Sequence, residues 1–112
     1  MNNSVEVVNL SDKEFDVWVK ESDKPVLVDF WAEWCQPCRM VSPTVAQIAA
    51  DYKGQVRVGK INVDDFPELA ARYGVRSIPN IILIRDGKIA TQSVGVKTKQ
   101  ELAEIVETNL KN

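Results

Sequence analysis

Apolar residues fall in short blocks along this chain, and the blocks alternate between two periods. Val5–Val8 is a brief β-branched run, read as a first strand. Ser11-Asp12-Lys13-Glu14 has the S-x-x-E form of a capping box and opens a helix whose Phe15, Trp18 and Val19 share one face. Asp23-Lys24-Pro25 ends it, because the residue before a proline resists helical angles. Val26–Trp31 is apolar on both alternating faces except at Asp29, as in a central strand covered on both sides. From about Cys35 to Tyr52 the period becomes helical, with Met40, Val41, Val45, Ile48 and Ala49 recurring at spacings of three and four. Pro43 inside that pattern predicts a kink, and Lys53-Gly54 closes it.

Val56–Val63 reads as a further strand, and Pro67–Tyr73 as a short helix that begins on proline and stops at Gly74. Asn80–Arg85 and Lys88–Val94 flank Asp86-Gly87, a two-residue hairpin signal. Thr98-Lys99-Gln100-Glu101 is another capping box, with Leu102, Ile105, Val106 and Leu110 on the inner side of a last helix. The order is β-α-β-α-β-α-β-β-α. Strands joined through helices are expected to be parallel and the final hairpin antiparallel, giving a mixed sheet in a three-layer α/β/α sandwich.

A length of 112 residues predicts one domain, 1–112, and no repeat or linker divides it. Apolar and charged fractions of 45% and 27% suit a soluble globule. A formal charge of −2, with no basic cluster, gives no electrostatic reason to expect nucleic acid or an anionic membrane as partner. The start, MNNSVEVVNLSDKEF, lacks the features of a secretory signal, and the longest apolar run, Ile81–Ile84, is too short to cross a bilayer. The expected compartment is the cytoplasm; a mature organellar protein that had shed its targeting segment would look the same.

The chain has two cysteines, Cys35 and Cys38, in a C-x-x-C arrangement. Structural zinc takes about four ligands, usually from two such pairs or one pair plus histidines. Here there is no second pair and no histidine, so only a metal shared between two chains keeps that reading open. Covalent haem attachment needs histidine after the second cysteine, where Arg39 stands. A structural disulfide is the bland alternative, but so small a loop constrains the unfolded chain by only about 2 kcal/mol. A reducing cytosol would not keep it oxidised in any case. The reactive reading has a mechanism. If the helix starts near Cys35, the free N–H groups and the dipole there favour a thiolate. Residues three apart on a helix lie about 5–6 Å apart at Cβ, within local adjustment of a bond. Pro37 fits the first turn, and Cys38 sits one turn deeper. That geometry predicts an outer attacking thiol, Cys35, and a less exposed resolving thiol, Cys38.

VDFWAEWCQPC, the later Ser77-Ile78-Pro79 and Val94-Gly95-Val96, and the element order together resemble the thioredoxin family over essentially the whole chain. The resemblance implies the thioredoxin fold, a mixed five-stranded sheet flanked by four helices. It implies a protein disulfide reductase, a thiol–disulfide oxidoreductase with no metal or organic cofactor beyond the redox-active Cys35–Cys38 pair. A thioredoxin reductase must supply electrons, since no Gly-rich nucleotide loop is present, and disulfide-containing client proteins receive them. The chain is expected to act as a monomer. The rivals are an oxidase or isomerase of the same fold, set apart by a higher redox potential, and a non-catalytic binding subunit with incidental or metal-sharing cysteines.

Asp29 is an edge-strand carboxylate facing water, one neutralised by a partner, or an uncompensated buried one, and its apolar neighbours argue against an edge. Burial raises a carboxyl's pKa and makes it a candidate general acid or base. Asp29 is expected to take the proton of Cys38 through a water, the role the family gives the matching aspartate; burial without catalysis is the alternative. Lys60 either buries its stem while its amine reaches water or pairs with Asp29, as a family lysine does. Read locally, Ile78-Pro79 is a turn before a strand; the resemblance makes the bond cis, with the proline stacked on the disulfide. Trp34, Pro37, Ile78, Pro79, Gly95 and Val96 would then form an apolar docking patch around the outer sulfur. Gly95 allows either close approach or a simple bend. Trp31 is expected to pack behind the site rather than take part in the chemistry, with a pure core role as the alternative. Gln36 departs from the family's usual glycine, adding a side chain beside the attacking sulfur, so potential and partner choice are open there.

Overall fold

The computed structural model describes residues 7–110. Its elements are β1 (Val7–Asn9), α1 (Asp12–Glu21), β2 (Val26–Trp31), α2 (Gln36–Asp51), β3 (Arg57–Asn62), α3 (Pro67–Arg72), β4 (Asn80–Arg85), β5 (Lys88–Val94) and α4 (Lys99–Leu110). The order matches the pattern. Limits shift where hydrophobicity outruns pairing: the expected strand Val56–Val63 pairs only over Arg57–Asn62, and Tyr73 caps α3 instead of extending it. Of the expected first strand, Val7 and Val8 lie in β1, whereas Val5 and Glu6 fall outside the described residues.

Both capping boxes form. The Ser11 hydroxyl accepts the Glu14 N–H at 3.1 Å while Glu14 accepts the Ser11 N–H at 2.9 Å. Thr98 and Glu101 exchange the same pair at 3.1 and 2.8 Å, and these bonds hold the Glu101 carboxyl below its usual pKa. α2 continues through Pro43, which has no N–H to bond the Arg39 carbonyl.

The sheet has five strands in the order β1-β3-β2-β4-β5. β3 is parallel to both β1 and β2, whereas β4 is antiparallel to both β2 and β5. The expectation that every helix-joined strand is parallel therefore fails between β3 and β4. α3 has six residues and spans about 9 Å, too short to carry the chain back along a six-residue strand of about 20 Å. The chain re-enters the sheet from the end at which β3 left it. This reversal matters for the site, because it sets the start of β4 beside the end of β2, with Asn80 opposite Phe30. At the hairpin, Asp86 and Gly87 both take the left-handed angles that a two-residue turn requires, with φ of 55° and 79°.

Alternation sorts the core into two layers. Leu27, Val58, Ile81 and Leu83 pack with Val41, Val45 and Ile48 of α2 and Leu102 and Val106 of α4. Val28, Phe30, Ile61, Ile82 and Ile84 pack with Phe15 of α1 and Leu69 of α3. Asp29 belongs by alternation to the α2 side. Met40, counted with the inward apolar pattern, is 62% exposed instead. It stands about 100° around the helix from Val41, outside the buried stripe.

Candidate active site

The end of β2, the turn after it and the first turn of α2 bring the chemistry together. β2 is paired on both sides, so its last residues are held rigidly. Cys35 is the N-cap of α2: its backbone is extended, and its Sγ accepts the Cys38 N–H at 3.2 Å. A side-chain acceptor at this position satisfies a backbone donor that the helix cannot, and the dipole favours negative charge there. Cys35 and Cys38 are joined as a disulfide, with Cα atoms 5.2 Å apart. Gln36 and Pro37 follow as exposed first-turn residues.

Exposure does not separate the two cysteines in this oxidised form, contrary to the expectation of an outer and an inner thiol. Cys35 is 3% and Cys38 2% exposed, because both pack with Ala32 against Trp31, Val63 and Ile78. What separates them is their surroundings. Among the described residues only the Cys35 sulfur receives a helix N–H, and it lies 3.8 Å from the Ile78 carbonyl oxygen. Cys38 instead lines a cavity of about 210 Å³ with Asp29, Trp31, Arg39, Ser42 and Lys60.

Asp29 is 3% exposed, and its Oδ1 has no hydrogen-bond partner among the described residues. Burial pushes its carboxyl up to about 7, with the Lys60 ammonium pulling the other way. Lys60 sits directly across the parallel register from Asp29 and lines the same cavity. Its Nζ stands 4.3 Å from the centroid of the Trp31 ring, so an aromatic face shares the charge. Trp31 also packs behind the cysteines, as expected.

The docking residues converge from separate elements. The Ile78–Pro79 bond is cis and Pro79 is buried. Gly95, at φ 95°, donates its N–H to the Pro79 carbonyl at 2.9 Å. That angle calls for glycine, which favours the bend reading, since a Cβ there would meet nothing within 4 Å. Val96 follows, 46% exposed. Trp34 is 67% exposed yet anchored, its indole N–H donating to the Asp64 carboxylate at 2.9 Å.

The thioredoxin family model matches residues 6–108. The thioredoxin of Rickettsia bellii is 45% identical over 102 residues, which cover 91% of this chain and 97% of that protein. That of Pseudomonas aeruginosa is 41% identical over 107 residues, covering 96% and 99%. The chain belongs to the thioredoxin family. Chloroplastic thioredoxin M4 of Arabidopsis thaliana is 46% identical over 104 residues, 93% of this chain and 54% of that protein. With the paired cysteines in place, the protein is a thiol–disulfide oxidoreductase that reduces protein disulfides, and its redox group is the Cys35–Cys38 disulfide itself.

Sequence reasoning missed several contributors. Ser42 lines the Asp29 cavity, and its position four residues after Cys38 on one helix face was the available signal. Asp64 and Gln92 carried no local signal, because their partners lie far along the chain.

Proposed function

We propose that Cys35 is the attacking thiol and Cys38 the resolving thiol of a cytoplasmic protein disulfide reductase acting as a single monomeric domain. The observation that carries this assignment is the Cys38 N–H aimed at the Cys35 sulfur from a helix N-terminus, a donor that favours the thiolate of Cys35 alone. In the reduced protein, the Cys35 thiolate attacks one sulfur of a client disulfide and expels the other as a thiolate. Asp29 then accepts the Cys38 proton across the cavity, assisted by the charge of Lys60. The Cys38 thiolate attacks Cys35, closes the disulfide and releases the second client thiolate, which takes up a proton. Two electrons have passed to the client, and a thioredoxin reductase restores the dithiol.

Trp34, Gln36 and Pro37 on one side, and Ile78, Pro79, Gly95 and Val96 on the other, form the surface on which a client strand lies. The N–H groups of Arg76, Ser77 and Ile78 make no backbone hydrogen bond among the described residues, which leaves these donors to bond that strand. No helix among the described residues is long and apolar enough to cross a membrane. An organellar compartment is the alternative to the cytoplasm.

Trapping tests the assignment. Cys38→Ser accumulates a mixed disulfide with a client protein through Cys35, whereas Cys35→Ser forms none. Equal trapping by both variants refutes the division of roles. A redox potential near that of reducing rather than oxidising members of the fold, about −270 mV against −120 mV, separates reductase from oxidase.

A further inference from the structure

A single side-chain amide joins the two ends of the segment that carries Ile78 and Pro79. Gln92, on edge strand β5, donates from Nε2 to the Tyr73 carbonyl at 3.1 Å and to the Asn80 Oδ1 at 3.2 Å. Tyr73 is the C-cap of α3, where a helix leaves its carbonyls without internal partners. Asn80 is the first residue of β4 and only 1% exposed. The orientation of both amides follows from chemistry: the Tyr73 carbonyl can only accept, so Gln92 presents its NH₂ group, and Asn80 must then present oxygen. Both hydrogens of that NH₂ group are engaged.

Between these anchors the Arg76, Ser77 and Ile78 N–H groups make no backbone hydrogen bonds among the described residues, yet the Ile78 carbonyl lies 3.8 Å from the Cys35 sulfur. Within the segment the Val75 N–H donates to the Ala70 carbonyl and the Pro79 carbonyl accepts from Gly95, both at 2.9 Å, so the stretch from Arg76 to Ile78 is held from its two ends, and Gln92 ties those ends together.

We propose that Gln92 is a positioning residue for client docking, holding the 73–80 segment so that its backbone edge meets an extended client chain beside Cys35. The proposal rests on the docking surface described above. A purely structural staple would alter melting temperature alone. A positioning staple alters the rate with a client that needs the edge more than the rate with a disulfide too small to touch it.

The test uses the full chain reduced with dithiothreitol, freed of reductant, and mixed by stopped flow with insulin or with 5,5′-dithiobis(2-nitrobenzoate). In Gln92→Met, which loses both donors, the insulin rate constant divided by that for the small disulfide falls about fivefold, the factor that one net hydrogen bond is worth. Gln92→Glu, which faces two acceptors with a carboxylate, falls further. Gln92→Lys, whose ammonium again supplies donors, returns the ratio to within about twofold of wild type. Gln92 is exposed, and circular dichroism confirms that each variant is folded. An unchanged ratio in Gln92→Met, or a Gln92→Lys as impaired as Gln92→Met, overturns the proposal. If Trp34→Ala also leaves the ratio unchanged, the docking surface itself is wrong; if Trp34→Ala lowers it and Gln92→Met does not, only the staple is.

Discussion

Asp29 and Cys38 face one cavity from two different layers, the carboxyl from the central strand and the thiol from the helix above it. The sheet fixes one partner and the helix the other, so their relation is set by packing and not by a flexible loop. An unpartnered carboxyl oxygen, a cavity of about 210 Å³ and a titration near neutrality belong together here. They describe a group that can take a proton and hold it away from bulk solvent.

Replacing Asp29 by Asn keeps the shape of this arrangement and removes its basicity. Attack by Cys35 on a client is expected to stay close to wild type, while resolution by Cys38 slows about a hundredfold at pH 7, the lower range of general-base contributions. Rapid-quench analysis of the mixed disulfide checks this through its lifetime. A wild-type lifetime in the variant would remove Asp29 from the mechanism.

The same burial has a thermodynamic signature. The Asp29 carboxyl ionises near 3.8 in an unfolded chain and at about 7 in the folded one. Between these values the folded state holds the extra proton, so stability falls as pH rises through the window. The full loss is roughly 4 kcal/mol, complete above the folded pKa. Urea denaturation of the oxidised protein at pH 4, 5.5 and 8 is expected to show this decline, and Asp29→Asn to flatten it. The variant gains relative stability at pH 8, the opposite of what losing a favourable carboxylate contact would do.

Elements set by local chemistry were legible in the sequence. The hairpin limits follow from Asp86-Gly87, and both outer helices start where their capping boxes place them. The burial of Asp29 was legible from its neighbours. The reversed direction of β4 was not, because it depends on the length of α3 relative to the strands it joins. Met40 misled because an apolar side chain one step off the stripe satisfies a loose count of threes and fours while facing water. The Gln92 staple could not be seen at all, since it acts through residues 12 and 19 positions away.

Gln36 shows how a first-turn residue can act on stability and access in opposite senses. It occupies the first helical position of α2, exposed beside Cys35. Gln36→Gly loosens that turn and is expected to lower stability by about 0.5–1 kcal/mol. At this chain length the melting temperature falls by roughly 2–4 °C. The same change removes the side chain at the rim, so the rate with insulin is expected to rise relative to that with a small aromatic disulfide. Calorimetry and stopped-flow fluorescence of the two proteins read these effects separately. A variant that melts lower yet shows an unchanged rate ratio would mean that Gln36 shapes the helix start and takes no part in client access.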